Sequence, residues 1–387
     1  MSVRLTGLDG IRGLAALFVV VHHCWLMSFP GYPANSGPVW TTFLVYGHLA
    51  VVVFIVLSGF SLGIAPARHG WRLDSLPAYA RRRARRILPP YWAALLFSLA
   101  MAWLLGPQPA NGPPNSTSVV VYGLLLQDFL AAPTPNGTFW TIAIEAHLYL
   151  LLPVLLLVMR RAGPVRMLIC VLTGVLALGM LASPTWILRL APQFAAGFAA
   201  GLVAAGAVRL RPPYPRFHWF AAGAALPVLA LISLNGPVWT VRHYFWVDLA
   251  ITPAVALFLA GVATGKPRFP SARSLRTLGD CSYSLYLTHA AIIVPLARKL
   301  VQPNVPHGVP AFLVTLAIGV PLTLLVAHLF AKVFEIPFTA RRERAEGPPA
   351  RRSAAAPATR SHQNAAPPPV PESAGRNRPG TDTGAAR

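Results

Sequence analysis

Acidic residues are scarce. Only 11 Asp and Glu occur in 387 residues, and charged side chains make up 11% of the chain, where a soluble domain carries roughly 25%. That deficit excludes a soluble protein of this length, which would lack the polar surface to cover itself. Cysteine is scarce too: Cys24, Cys170 and Cys281 form no CxxC pair, which excludes a disulfide framework or a thiolate zinc site. No P-loop, GxGxxG or HExxH pattern occurs, so the nucleotide and zinc-hydrolase signatures are missing. What is abundant is apolar: 55% of residues, with a mean hydropathy of +0.54. Such a chain collapses, so disorder along its whole length is excluded. The net charge of +22 alone would suggest a nucleic-acid partner. The hydropathy opposes that reading and points to an all-α, polytopic membrane protein.

A membrane-crossing helix needs about 20 apolar residues. Ten stretches qualify, at about 11–29, 42–65, 88–105, 139–159, 165–182, 186–207, 217–235, 245–264, 283–301 and 310–333. The first is read as a retained span and not a signal peptide, because Arg12, His22 and His23 interrupt it. With the N-terminus inside, 29 of the 33 basic residues fall on cytoplasmic segments, and the long 106–138 loop carries none. This asymmetry follows the positive-inside rule and puts both termini in the cytoplasm. Residues 119–130 are too short to span, so an interfacial or re-entrant segment is expected there. The chain divides into a membrane domain, 1–338, and a basic Pro/Ala-rich tail, 339–387, expected to be disordered.

Ionisable groups at membrane depth are costly, and each is a functional candidate. Arg12 and His23 are eleven residues apart on one predicted helix, which is three turns plus about 20°, so they share a face about 16.5 Å apart along the axis. The competing reading makes Arg12 a positive-inside anchor and His23 a packing donor. Glu145 lies inside the fourth span with Tyr149 at i+4. It either closes a buried polar clasp or orients and charges a histidine. The run 81–86 holds five Arg. They either set topology and meet lipid headgroups, or bind a polyphosphate such as coenzyme A. Tyr283, Tyr286 and His289 fall at i, i+3 and i+6, on one side of the ninth span or in an aromatic belt. Asp248 reads as an interface residue, His328 as a packing residue, and GFAAG (197–201) as a helix-packing motif. His48, His243 and His307 read as extracellular or interfacial, and no spacing supports a metal site. A transporter or flippase would also use ten helices with buried charge. No inverted-repeat pattern is present.

In order along the chain, LDGIRGLAALFVVVHH (8–23), FIVLSGF (54–60), RRARRILPPYW (82–92), WTIAIEAHLYLLLP (140–153) and LGDCSYSLYLTH (278–289) resemble the membrane acyltransferase-3 family of O-acyltransferases. The resemblance covers most of the membrane region and not the tail. It puts the family's Arg-x10-His motif on Arg12 and His23, its Arg-x-x-Arg motif on Arg83 and Arg86, and its acidic motif on Glu145 and Tyr149. Thr141 replaces the Ser often found after the tryptophan. The resemblance implies a multi-pass protein of the bacterial cell membrane that moves acetyl or propionyl from acyl-CoA, a co-substrate, to a hydroxyl. His23, Arg12 and Glu145 would be catalytic, Arg83 and Arg86 would meet coenzyme A, and Tyr149, Tyr283 and His289 would support the substrates. No metal, bound cofactor or nucleic acid is implied. The short form without a fused esterase-like domain looks like the branch that acylates the 3-hydroxyl of macrolide antibiotics. A surface glycan or lipid-linked sugar is the alternative acceptor.

Overall fold

The computed structural model describes residues 6–109, 111–181, 189–210, 216–264 and 273–338. The tail expected from 339, and the N-terminal residues 1–5, lie outside the described residues. Within those described the chain is helical and has no strand. The helices are α1 (Thr6–Ser28), α2 (Leu49–Arg68), α3 (Leu76–Leu105), α4 (Ser116–Gly123), α5 (Trp140–Ala162) and α6 (Pro164–Leu181). They continue as α7 (Gln193–Leu210), α8 (Phe217–Arg242), α9 (Tyr244–Thr264), α10 (Arg273–Asp280), α11 (Ser282–Pro295) and α12 (Val309–Phe330). Eight helices are long and apolar enough to cross a membrane, while Pro164–Met180 and Gln193–Val208 are shorter apolar helices. Eight of the ten anticipated spans thus correspond to helices long enough to cross, and those anticipated at 165–182 and 186–207 correspond to the two shorter apolar helices.

The largest departure from the expected boundaries is α3, which begins twelve residues before the anticipated span. Ser75 caps it, its Oγ accepting from the Ala78 backbone N–H, and a proline sits in the first turn. At 30 residues the helix is about 45 Å long, longer than the roughly 30 Å hydrocarbon core. The arginine run is thus helical and not loop. Arg83 is half-buried while Arg81, Arg82, Arg85 and Arg86 are exposed, and of the five only Arg83 and Arg86, one turn apart, line the cavity described below.

The tightest packing joins α2 to α7. A Cβ built on Gly59 would meet the carbonyl oxygen of Phe198, and one built on Gly201 that of Val56. Bare glycines let the two backbones touch, as small-residue motifs do between membrane helices, so GFAAG packs as expected. Around this pair lies a core of Ile55, Phe60, Leu152, Phe198, Leu202 and Leu259. A second cluster on α3, α5 and α11 holds Tyr91, Phe139 and Leu287. The expected short segment within the long 106–138 loop begins as α4, capped by reciprocal Asn115–Ser118 hydrogen bonds. Residues 124–139 then fold inward, burying Gln127, Asp128 and Asn136. Gln127 donates to the Phe139 carbonyl at 3.0 Å, and Asn136 to the Leu287 carbonyl at 3.1 Å.

Candidate active site

Helices α1, α2, α3, α5 and α11 enclose a cavity of about 800 Å³, counting the space open to solvent. Its polar lining comes from residues far apart in sequence: Arg12, Ser58, Arg83, Arg86, Glu145 and Tyr149, with Thr141, Tyr283 and Tyr286 beside them. Mixed charge concentrated in a water-poor space interacts more strongly than it would in bulk water.

Glu145 is held on two sides. Ser58 Oγ donates to its Oε1 at 2.5 Å, and the Tyr149 hydroxyl donates to the same oxygen. Tyr149 in turn packs its ring under the Arg83 guanidinium, 5.8 Å from CZ to the ring centroid. Its backbone carbonyl accepts from the Tyr79 hydroxyl at 2.9 Å. Of the two readings of Glu145, the geometry is the clasp. Among the described residues no histidine hydrogen-bonds to it, and His147, two residues on, lies 3.8 Å from Asp128 Oδ2 instead. The reason is register: a residue two positions along a helix projects about 200° away.

Arg12 lies 3.5 Å from Asp9, one turn earlier on α1. It also lies within electrostatic reach of Arg86 and Glu145. A further carboxylate, Glu335, joins this group from the π-helical turn Ala331–Glu335 that follows α12. Ser284 fixes it, Oγ donating at 2.6 Å and the backbone N–H at 3.3 Å, and Arg86 and Arg12 both act on it electrostatically. The sequence reading missed Asp9 and Glu335. The available signal for Glu335 was an acid on the heavily basic flank of the last span.

Tyr283 lines the cavity and its hydroxyl reaches the Ile87 carbonyl at 3.3 Å. Tyr286 Oη lies 2.8 Å from Thr141 Oγ1. His289 sits one turn beyond Tyr286, fully buried and outside the cavity lining. His23 is also outside that lining, and its ring centroid is 4.8 Å from that of His289. The expected residues therefore form two adjoining groups. Arg12, Arg83, Arg86, Glu145, Tyr149 and Tyr283 surround the cavity; His23 and His289 pair behind Tyr286. Both imidazoles present Nδ1 to carbonyl oxygens, His23 to Val19 at 2.8 Å and His289 to Tyr286 at 2.8 Å. A carbonyl only accepts, so each Nδ1 carries the hydrogen and each Nε2 keeps its lone pair.

Asp248, read from its place in the span as an interface residue, has a partner on another helix. It is buried, and its Oδ2 lies 2.9 Å from His48 Nε2, with Gln193 donating at 3.3 Å. The His48 ring stacks on Tyr244 and Trp140, at 3.9 and 5.7 Å between centroids. Hydropathy counts position in a span and is blind to this cross-helix partner. Among the described residues no three His, Cys, Asp or Glu side chains gather as a metal site.

A family model described as an acyltransferase domain matches residues 5–330. The chain is similar to the O-acetyltransferase OatA of Staphylococcus aureus, 23% identical over 376 residues, covering 86% of this chain and 57% of that protein. It is similar to nodulation protein 10 of Rhizobium leguminosarum bv. viciae, 26% identical over 175 residues, covering 40% and 44%. It also resembles the O-acetyltransferase PaAT-1 of Phomopsis amygdali, 38% identical over 99 residues, covering 21% and 20%. The chain thus spans from a fifth to a little over half of the length of these curated relatives. No solved structure matches. Charged residues converging within an apolar bundle, and a domain match running from α1 through α12, lead to one conclusion: the chain is a multi-pass membrane protein of the acyltransferase-3 family.

Proposed function

We propose that the protein transfers a short acyl group, acetyl or propionyl, from acyl-CoA to a hydroxyl. The observation that carries this is a single cavity joining the Arg83–Arg86 face to Glu145 and Arg12, with two imidazoles next to it. Two guanidinium forks one turn apart suit the phosphates of coenzyme A. Arg12, which lines the same cavity about 16.5 Å from His23 along α1, adds a third cation at the coenzyme A end. Glu145, fixed by Ser58 and Tyr149, balances the arginines and holds Tyr149 beneath Arg83.

The acceptor hydroxyl meets His23 on the far side of Tyr286. Its O–H bond breaks and the proton passes to His23 Nε2, while the oxygen attacks the thioester carbon. The C–S bond then breaks, and the departing coenzyme A thiolate takes the proton from His23. The products are an ester and free coenzyme A.

For the acceptor we propose the 3-hydroxyl of a macrolide, on the sequence resemblance set out above. A surface glycan or lipid-linked sugar competes with it. Mass spectrometry of candidate acceptors, after incubation with the purified protein and several acyl-CoAs, decides donor and acceptor together. A mass gain of acetyl or propionyl on a macrolide supports the reading. A gain confined to a glycan replaces the acceptor, and no acylated product with any donor overturns acyl transfer itself. His23→Ala protein that still acylates at the normal rate would remove His23 from the mechanism.

A further inference from the structure

His289 is fully buried and makes no contribution to the cavity wall. Its Nδ1 is tied to two carbonyls of its own helix, Tyr286 at 2.8 Å and Leu285 at 3.2 Å. Those bonds fix the ring and its tautomer, because Nδ1 has to donate. Nε2 is then a buried lone pair, and it has no hydrogen-bond partner among the described residues. Leaving a buried acceptor unfilled is unfavourable. The neighbouring ring is His23, at 4.8 Å between centroids and inclined at 72°. His23 is tethered in the same way, to Val19. His22 stands 5.1 Å from His23 on the other side, with its Nδ1 on the Leu44 carbonyl at 2.6 Å. Both rings flanking His23 are therefore held in the form with a hydrogen on Nδ1, and neither brings a carboxylate to it.

We propose that His289 is a positioning residue for His23, its unfilled Nε2 lone pair accepting a hydrogen bond from, and so supporting, the imidazolium that forms when His23 takes the acceptor's proton. The inference rests on the acyl-transfer reading. His289 gives up no proton and forms no covalent bond. It accepts a hydrogen bond from protonated His23 and releases it when that proton leaves with the thiolate. Because α11 carries Tyr286 on the cavity wall and His289 one turn further, the same helix fixes the edge of the donor cavity and the ring beside the base.

The test uses full-length protein in lipid vesicles, acetyl-CoA as donor, and the acceptor found by mass spectrometry. Gln places an acceptor oxygen near the position of Nε2; Asn reaches only as far as Nδ1. His289→Asn is expected to lower kcat about 100-fold with KM for acetyl-CoA unchanged, and His289→Gln to restore kcat to within about fivefold of the parent. Equal losses in Asn and Gln, or a loss confined to KM, would overturn the proposal while leaving acyl transfer standing. Nitrogen-15 spectra of histidine-labelled protein supply a readout independent of turnover. Both His23 and His289 should show an unprotonated Nε2 in the resting protein, and a hydrogen on Nε2 of His289 would sink the pairing even if the wild type is active. A wild type that transfers no acetyl group fails the acyl-transfer reading and the proposal with it.

Discussion

Thr141 Oγ1 and Tyr286 Oη lie 2.8 Å apart, joining α5 to α11 where the charged cavity gives way to the paired imidazoles. Thr141 also lies 3.0 Å from the Thr138 carbonyl, which only accepts. Tyr286→Phe leaves Thr141 with that partner and is expected to destabilise the protein by only about 0.5–1.5 kcal/mol. Thr141→Val should cost a similar amount. The double variant should fall short of the sum, because the two residues share one bond. Thermal unfolding of the four proteins in detergent checks this; strict additivity would mean the bond contributes nothing.

The α3 helix sorts its five arginines by face. Replacing exposed Arg81, Arg82 and Arg85 together by Gln should leave KM for acetyl-CoA within about twofold. Arg86→Ala should raise it roughly tenfold or more, since a charge-assisted hydrogen bond contributes about 1.5–3 kcal/mol. Arg86→Lys should recover only part of that loss, because an ammonium lacks the planar fork. Steady-state kinetics at varied acetyl-CoA give the comparison. A triple Gln variant as impaired as Arg86→Ala would remove the distinction between the two faces.

Ser58 and Tyr149 share one carboxylate oxygen of Glu145. Glu145→Gln keeps the size and removes the charge, so both hydroxyls lose an ionic acceptor, and kcat should drop about 100-fold. Tyr149→Phe keeps the ring beneath Arg83 and removes only the hydroxyl, so it should be milder, about tenfold. Reversal of that order would show that the hydroxyl and not the carboxylate is the active group.

Asp128 lies outside the spans, in the inward fold that follows α4. Burial pushes its carboxyl up from 3.8 to about 6, against the opposing attraction of Arg189. A carboxylate raised in the folded state favours folding most when protonated. Its contribution is full below about pH 4 and declines as pH rises through about 6. Asp128→Asn removes that decline, so the variant should gain stability over the parent between pH 4 and pH 7. Melting temperatures at the two pH values test it; an equal offset at both would assign the effect to packing.

The all-helical, multi-pass character was legible because hydropathy is summed over many residues. Arg83 and Arg86 were singled out among the five arginines by the family resemblance alone, whereas Glu145 with Tyr149 was legible from i, i+4 spacing. Contacts between helices were not. Nothing in the spacing tells that Ser58 reaches Glu145, that Glu335 returns from the last span to Ser284, or that His48 claims Asp248 across 200 residues. Arg12 and His23 do lie on one helix, as their spacing predicts. That His23 falls outside the cavity lining, against His289 of another helix, is a packing outcome the spacing does not carry.

The backbone contacts at Gly59 and Gly201 have a mechanical consequence. With each glycine against a carbonyl of the other helix, α2 and α7 have no clearance to slide or rotate and travel as one rigid pair. Ser58, the anchor of Glu145, is the neighbour of Gly59 and rides on that frame. Room for a bulky acceptor is therefore gained at the other walls of the cavity, α1, α3, α5 and α11, and not by separating α2 from α7.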